Sequence, residues 1–455
     1  MKDGLQFQKS SQINNESAMR GKFIKRFWWL GLIVIILIIF GVVFVVVKNK
    51  EKNKFDDKKF QNQPMFENYD PTINLGLAKC PANLSGLFTY FFINPDNLEA
   101  IDPLGGVNPP MHTQPVDHIY FTTKNSLNAR VPIYMPADGI LFEVVEEVRT
   151  NTTTGAFLES SSEVTFAPCQ GVDVSIAIIS ELGPDIKALI KDGQGQCEEL
   201  EKGKQGEEVV SRMCRYQVDK QLKAGDLLGY ELNVSESERL ASNGRILPEE
   251  VKDVEIWAHN YSITPSRDVD IAWYDFPSLP YSFCFFDMYQ GEMQKKYLDK
   301  FGAFNSAGYD GFKQRIAPPV CGSILQNIVG TVQGDWFYGE KGKVSSDGYL
   351  SLVPNNFDPS IGDISIGGTI RQPEVINFLS THSGTLNREL SEVKTDNNIY
   401  CYQADADSKI NSNTKREITE KILLNLVDDH HLKIENQPGA CGAGETFKNP
   451  FIYQR

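Results

Sequence analysis

Histidine is scarce in this chain, at six in 455 residues. A site built on imidazole therefore has few candidates, and losing one ligand removes its case. No Gly-x-Ser-x-Gly phrase occurs, which excludes the nucleophile elbow of the α/β-hydrolases. The segment Gly339–Lys343 has the wrong spacing for a phosphate-binding loop and carries Glu340 in its turn, and Ser360–Gly368 lacks the Gly-x-Gly-x-x-Gly order. Nucleotide chemistry is excluded on both counts. Positive charge is also short, with 45 Lys+Arg against 59 Asp+Glu and a net charge of −14. The deficit is uneven. Residues 1–60 hold twelve basic against five acidic residues, which leaves 33 against 54 for the rest. So acidic a remainder repels nucleic acid, and because the acids are scattered they serve solubility rather than a site. No internal repeat, collagen-like segment or coiled coil is found.

One long apolar run is present. Phe27–Val47 contains no charged residue, and at ~1.5 Å per residue a helix of that length spans roughly the 30 Å of a bilayer core. Val45–Lys48 offers no small-residue cleavage site, so the segment is expected to remain as a transmembrane helix, with Trp28 and Trp29 at one interface. Basic residues flank both ends, Arg20, Lys22, Lys25 and Arg26 before and six lysines from Lys48 to Lys59 after, and their count favours a cytoplasmic C-terminal side. The cysteines point the other way. All eight lie beyond the helix, and an even number suits an oxidising compartment. Large translocated domains follow the charge rule poorly. The expected localisation is a single-pass protein of the cell membrane with its C-terminal domains extracytoplasmic.

Composition divides the chain further. Residues 1–26 read as a disordered N-terminal tail, 27–47 as the transmembrane helix, and 48–75 as a charged, Asn/Gln-rich tether. Residues 76–265 form a first β domain, in which Asp173–Ile179 and Val254–Ala258 have the texture of strands. From Asp268 the texture changes to aromatic-rich segments separated by Gly, Pro and Asn, which predicts a β-rich C-terminal domain over 266–455. An amphipathic helix is predicted over Met288–Phe301, from apolar residues every four positions, and a hairpin about Asp428–His431. Between Cys197 and Cys214 lies a charged, Gly-bearing insertion. A bridge between these two would staple it by about 3 kcal/mol, although eight cysteines allow about 105 connectivities.

Two matched phrases carry the clearest fold signal. Val131–Val144 contains a short apolar strand, the turn Pro136-Ala-Asp-Gly139 and a second apolar strand, and Leu222–Tyr230 repeats the pattern around Gly225. In order and texture they resemble the core of the M23 (LytM-like, lysostaphin-like) zinc endopeptidases, over roughly residues 105–265. The resemblance implies a mostly β fold, with a sheet related to lipoyl and biotinyl carrier domains. It also implies a zinc ion held by two histidines and an aspartate with an open position for water, beside a further histidine as base. The family's His-x-x-x-Asp phrase has its nearest equivalent in His112 and Asp117, separated here by four residues instead of three. Its His-x-His phrase falls on a stretch from Asp253 to His259 that reads no such pair. The ligand set the resemblance implies is His112, Asp117 and His259, with His118 as the catalytic base; the competing reading makes these polar residues at strand ends.

Other candidates are weaker. Trp336 and Tyr338, with Phe337 and Trp273, could stack against sugars or peptides, for aromatic faces bury apolar area and leave polar edges free; core packing is the default for such alternation. His430 and His431 follow two aspartates in a turn, where adjacent side chains point apart. Non-catalytic LytM-like domains regulate or scaffold cell-wall enzymes. The expected function is accordingly binding or scaffolding at the cell envelope, with the membrane through residues 27–47 and a cell-wall polymer or an envelope protein as partners. No cofactor is expected. The alternative is an active zinc metallopeptidase that cleaves cell-wall peptides, and zinc belongs to that reading alone.

Overall fold

The computed structural model describes residues 75–455 except 125–129, 152, 156, 191–193, 202–208, 233–253, 264–269, 275–277, 305–311 and 405–418. The expected tail, the apolar run 27–47 and nearly all of the tether lie outside the described residues. Among the described residues no helix is long and apolar enough to cross a membrane.

Among the described residues the protein is mostly β, with 46% strand and 10% helix. Its first eleven strands are β1 (Leu98–Asp102), β2 (His118–Thr123), β3 (Arg130–Tyr134), β4 (Gly139–Asn151), β5 (Phe157–Cys169), β6 (Val172–Ile179), β7 (Glu181–Leu182), β8 (Gln196–Glu201), β9 (Val209–Leu222), β10 (Leu227–Leu232) and β11 (Val254–Asn260). Eight of them form one antiparallel sheet in the order β1-β2-β11-β6-β5-β4-β9-β8, and β3-β10-β7 form a small second sheet. Alternation decides the faces. Ile119 and Phe121 of β2, Val254, Ile256 and Ala258 of β11, and Val172, Val174 and Ile176 of β6 turn to one core, while the residues between them are largely polar.

The two matched phrases fold against each other. Strand β3 pairs with β10, Gly139 lies opposite Leu222, and the turns interlock through Met135 N–H to the Asp226 carbonyl and Gly225 N–H to the Met135 carbonyl, both 2.8 Å. Asp138 accepts from Ala224 N–H at 3.0 Å and pairs with Lys223 at 2.8 Å. Gly225 has φ +90, a left-handed conformation that side-chain-bearing residues avoid.

The first core does not end with β11. Phe285, Phe286, Tyr289, Tyr297 and Phe301 are fully buried in it against Phe88, Phe92 and Phe121, in an array of edge and tilted ring contacts. Within this stretch the predicted helix is shorter than its apolar period: α1 covers Gly291–Leu298, and Phe285–Met288 is a 3₁₀ turn. Aromatic packing fixes the flanks where helix hydrogen bonds stop.

Two short strands, β12 (Gly302–Phe304) and β13 (Phe312–Gln314), pair with each other. The last eight are β14 (Gly334–Phe337), β15 (Tyr349–Pro354), β16 (Ile361–Ile366), β17 (Glu374–Leu379), β18 (Tyr400–Tyr402), β19 (Glu420–Asp428), β20 (His431–Pro438) and β21 (Phe451–Gln454). They form one antiparallel sheet in the order β17-β16-β15-β14-β21-β20-β19-β18, including the hairpin expected about Asp428–His431. The sheet curls into a near-barrel. Its two edges are joined through residues 381–389, where Asn387 N–H bonds the Cys401 carbonyl at 2.9 Å and Glu389 N–H the Thr381 carbonyl at 2.8 Å. Inside lie Trp336, Leu350, Leu352, Ile364, Ile366, Phe378, Tyr402, Ile422, Leu424 and Ile434, again at period two. Both sheets belong to one compact unit, Phe66–Arg455.

All eight cysteines are paired: Cys80–Cys169, Cys197–Cys214, Cys284–Cys321 and Cys401–Cys441. The Cys197–Cys214 staple joins directly opposed residues of β8 and β9. Four disulfides place this part of the chain in an oxidising, extracytoplasmic environment.

Candidate functional site

The face of the first sheet turned away from the core is polar, and strand register sorts its residues into rows. Trp257 of β11 lies between His118 of β2 and Ser175 of β6, with Thr165 and Glu143 continuing the row across β5 and β4. Glu255 lies between Tyr120 and Ala177, and His259 opposite Asp173. Directly opposed residues on one face approach to about 5 Å. The rows thus gather Asp117, His118 and His259 in one region, and place His112 beside them.

His118 is nearly buried and both its ring nitrogens are engaged, Nδ1 with Asp117 Oδ1 at 3.2 Å and Nε2 with Tyr120 Oη at 2.7 Å. Nδ1 faces the Asp117 carboxylate, which can only accept, so that nitrogen carries a proton. The same Asp117 oxygen accepts Trp257 Nε1–H at 3.2 Å, and the Trp257 ring packs 4.8 Å from His118. Burial pushes the Asp117 carboxyl upward, but the hydrogen bond and charge of His118, with His259 beyond, hold it below the usual range. His112 meets His118 edge-on at 5.3 Å, and burial followed by repulsion from His118 lowers its imidazole to about 4. His259 Nδ1 contacts Asp173 Oδ1 at 2.8 Å. Burial disfavours charge on His259, yet Asp173 outweighs it and the imidazole is raised overall.

A zinc ion needs three donor lone pairs converging at about 2 Å. Here Asp117 Oδ1 and both nitrogens of His118 are committed to hydrogen bonds within the protein, and only His259, with Nδ1 on Asp173, keeps its other ring nitrogen without a partner among the described residues. Among the described residues no three His, Cys, Asp or Glu side chains could hold a metal ion. The residues as arranged do not fit the group that the family resemblance implies.

Farther along the face Glu143 accepts from Arg215 Nη1 at 2.5 Å and Gln217 Nε2 at 2.7 Å. Burial first, then the charge of Glu143, raises Glu163 to about 7. Tyr120, Trp257, Asp173 and Glu163 are absent from the sequence-derived site. The signal that could have found them is the alternation of β11, Glu255, Trp257, His259, which faces a second polar alternation in β2.

The aromatic candidates separate. Trp336 is 0% exposed in the barrel core, with Nε1–H bonded to the Val332 carbonyl at 2.8 Å and Arg455 over its ring at 4.2 Å. Tyr338 is 42% exposed and packs on Phe451 and Tyr453. His431 contacts Asp428 at 2.9 Å in the hairpin turn. Compared with known proteins, the chain matches no family model, no curated protein and no solved structure.

Proposed function

We propose that this chain is a membrane-anchored envelope protein whose extracytoplasmic part, an M23-like domain with a second β-rich domain, binds or scaffolds rather than cleaves. The observation that carries the reading is the closed network of Asp117, His118, Tyr120 and Trp257. Asp117 Oδ1 and both ring nitrogens of His118 are spent on neighbours, which rigidifies this part of the surface. The apolar run Phe27–Val47 would supply the anchor, and the four disulfides support exposure outside the cytoplasm. Its partners would be a cell-wall polymer or another envelope protein.

The test is zinc content. Full-length protein, untagged and purified under oxidising conditions, is expected to carry far less than one zinc per chain, as is the His112→Ala variant. About one zinc in the parent and little in the variant would overturn the reading in favour of a peptidase that cleaves wall peptides.

A further inference from the structure

Where the chain after β13 runs past Leu104 of the first core and the ends of β14 and β15, it leaves a cavity of about 310 Å³. The walls are tied in place. Arg315 N–H bonds the Phe301 carbonyl at 2.7 Å, Leu104 N–H bonds the Cys321 carbonyl at 2.9 Å, and the disulfide Cys284–Cys321 joins this segment to the aromatic array. Ser323 and Ile328 on the rim are exposed, the latter at 41%, so the cavity is open to solvent.

Among the described residues Arg315 is the only charged side chain in the lining, and it is 5% exposed. Its Nε and Nη2 donate to the Pro319 carbonyl at 3.3 and 3.2 Å, and Nη1 donates to the Asn356 carbonyl at 2.5 Å. Those bonds fix the guanidinium without exhausting its N–H groups, and both acceptors are neutral. Asp358 acts on Arg315 electrostatically, but the ion pair it forms is with Lys313, at 3.0 Å. A buried cation is ordinarily matched by an anion in contact with it, and among the described residues Arg315 has none. Three of the lining amides are oriented as well. Gln326 Nε2 donates to the Ser323 carbonyl, Gln333 Nε2 to the Gln326 backbone carbonyl and Asn356 Nδ2 to the Pro103 carbonyl, at 2.9, 2.9 and 3.0 Å. Their side-chain oxygens accept no hydrogen bond among the described residues, which leaves acceptors beside the cation.

We infer that this cavity binds the end of a peptide through its free C-terminal carboxylate. Arg315 takes the carboxylate, the side-chain oxygens of Gln326, Gln333 and Asn356 accept from the peptide N–H groups, and Leu104, Leu325 and Pro354 pack against an apolar terminal side chain. A planar carboxylate of single charge suits a lone guanidinium, which meets it with parallel N–H bonds. The volume lies at the lower end of the roughly 300–1,000 Å³ of ligand pockets, so the site takes the last residues of a chain rather than a long segment. It is separate from the polar face of the first sheet and does not depend on the envelope-binding reading.

Calorimetric titration of the full-length protein with N-acetyl-alanyl-leucine tests this, beside the same peptide ending in a carboxamide. The acid is expected to bind, and the amide to bind at least about tenfold more weakly, because hydrogen bonds to a charged group are the stronger ones. Arg315→Lys should weaken the acid by about tenfold and narrow its advantage over the amide, since an ammonium lacks the planar fork. Arg315 also holds the Pro319 and Asn356 carbonyls, so a second variant guards against loss of folding. Ser323→Trp sets a bulky ring at the exposed rim, leaves the guanidinium in place, and should abolish binding at an unchanged unfolding temperature. Failure of the acid to bind the parent protein at about 10 mM overturns the inference, as does equal affinity for acid and amide or unchanged binding in Ser323→Trp. Acetate binding as tightly as the peptide overturns the peptide assignment and leaves a site for a small anion only.

Discussion

At the scale of single residues, buried carboxyls behave according to their partners. Those around His118 are tied by charge-assisted bonds, whereas Asp363 of β16 is buried, 3% exposed, and accepts from the amides of Asn377 and Asn355 at 2.7 and 2.9 Å. Burial raises its carboxyl to about 7, against about 3.9 in an unfolded chain. The folded state therefore holds the proton more tightly. Stability from this group is fullest below about pH 4 and is lost as pH rises to about 7. Asp335, raised to about 6 by burial, acts in the same sense. Urea denaturation across pH 4 to 7 is expected to show falling stability, and Asp363→Asn should make the fall shallower by about 1–4 kcal/mol. Parallel curves for the two proteins would contradict the assignment. Trp336 teaches a related lesson: the same alternation that suggests a stacking surface also builds a core, and which it is depends on what closes over it.

At the scale of elements, alternation and turns were legible before any coordinates. Strands β6 and β11, the hairpin β19–β20 and the two interlocking turns around Gly139 and Gly225 all follow from period-two patterning and glycine placement. The flanks of α1 do not, because four-residue spacing of Tyr289, Met293, Tyr297 and Phe301 describes burial and not hydrogen bonding. Close packing across strands was equally hidden. Gly362 of β16 lies opposite Phe378 of β17, and a β-carbon there would meet the phenyl ring. Gly362→Ala is expected to destabilise by about 1–3 kcal/mol, since overpacking forces off-rotamer side chains. Adding Phe378→Leu should return part of that loss, which a double-mutant cycle in urea would register as coupling. Strict additivity would show that the ring does not rest on the glycine.

For the whole molecule, the disulfides close loops of very different length, and Cys80–Cys169 spans 89 positions, from the start of the first core to the end of β5. Replacing both by alanine should lower stability by about 2–5 kcal/mol, read as a lower urea midpoint, because the unfolded chain regains the entropy the bridge removed. An unchanged midpoint would mean that packing alone fixes this end of the sheet. Sequence by itself determined the β character, the strand faces, the oxidising environment and the apolar run, since each is written in local periodicity, composition or parity. Only the tertiary structure decided that Phe285 to Phe301 complete the first core, that the last eight strands curl into a near-barrel, and that Asp117 accepts from Trp257 while His118 pairs with Tyr120. Those outcomes depend on register between strands far apart in the chain, and a one-residue difference in register moves a side chain to the opposite face.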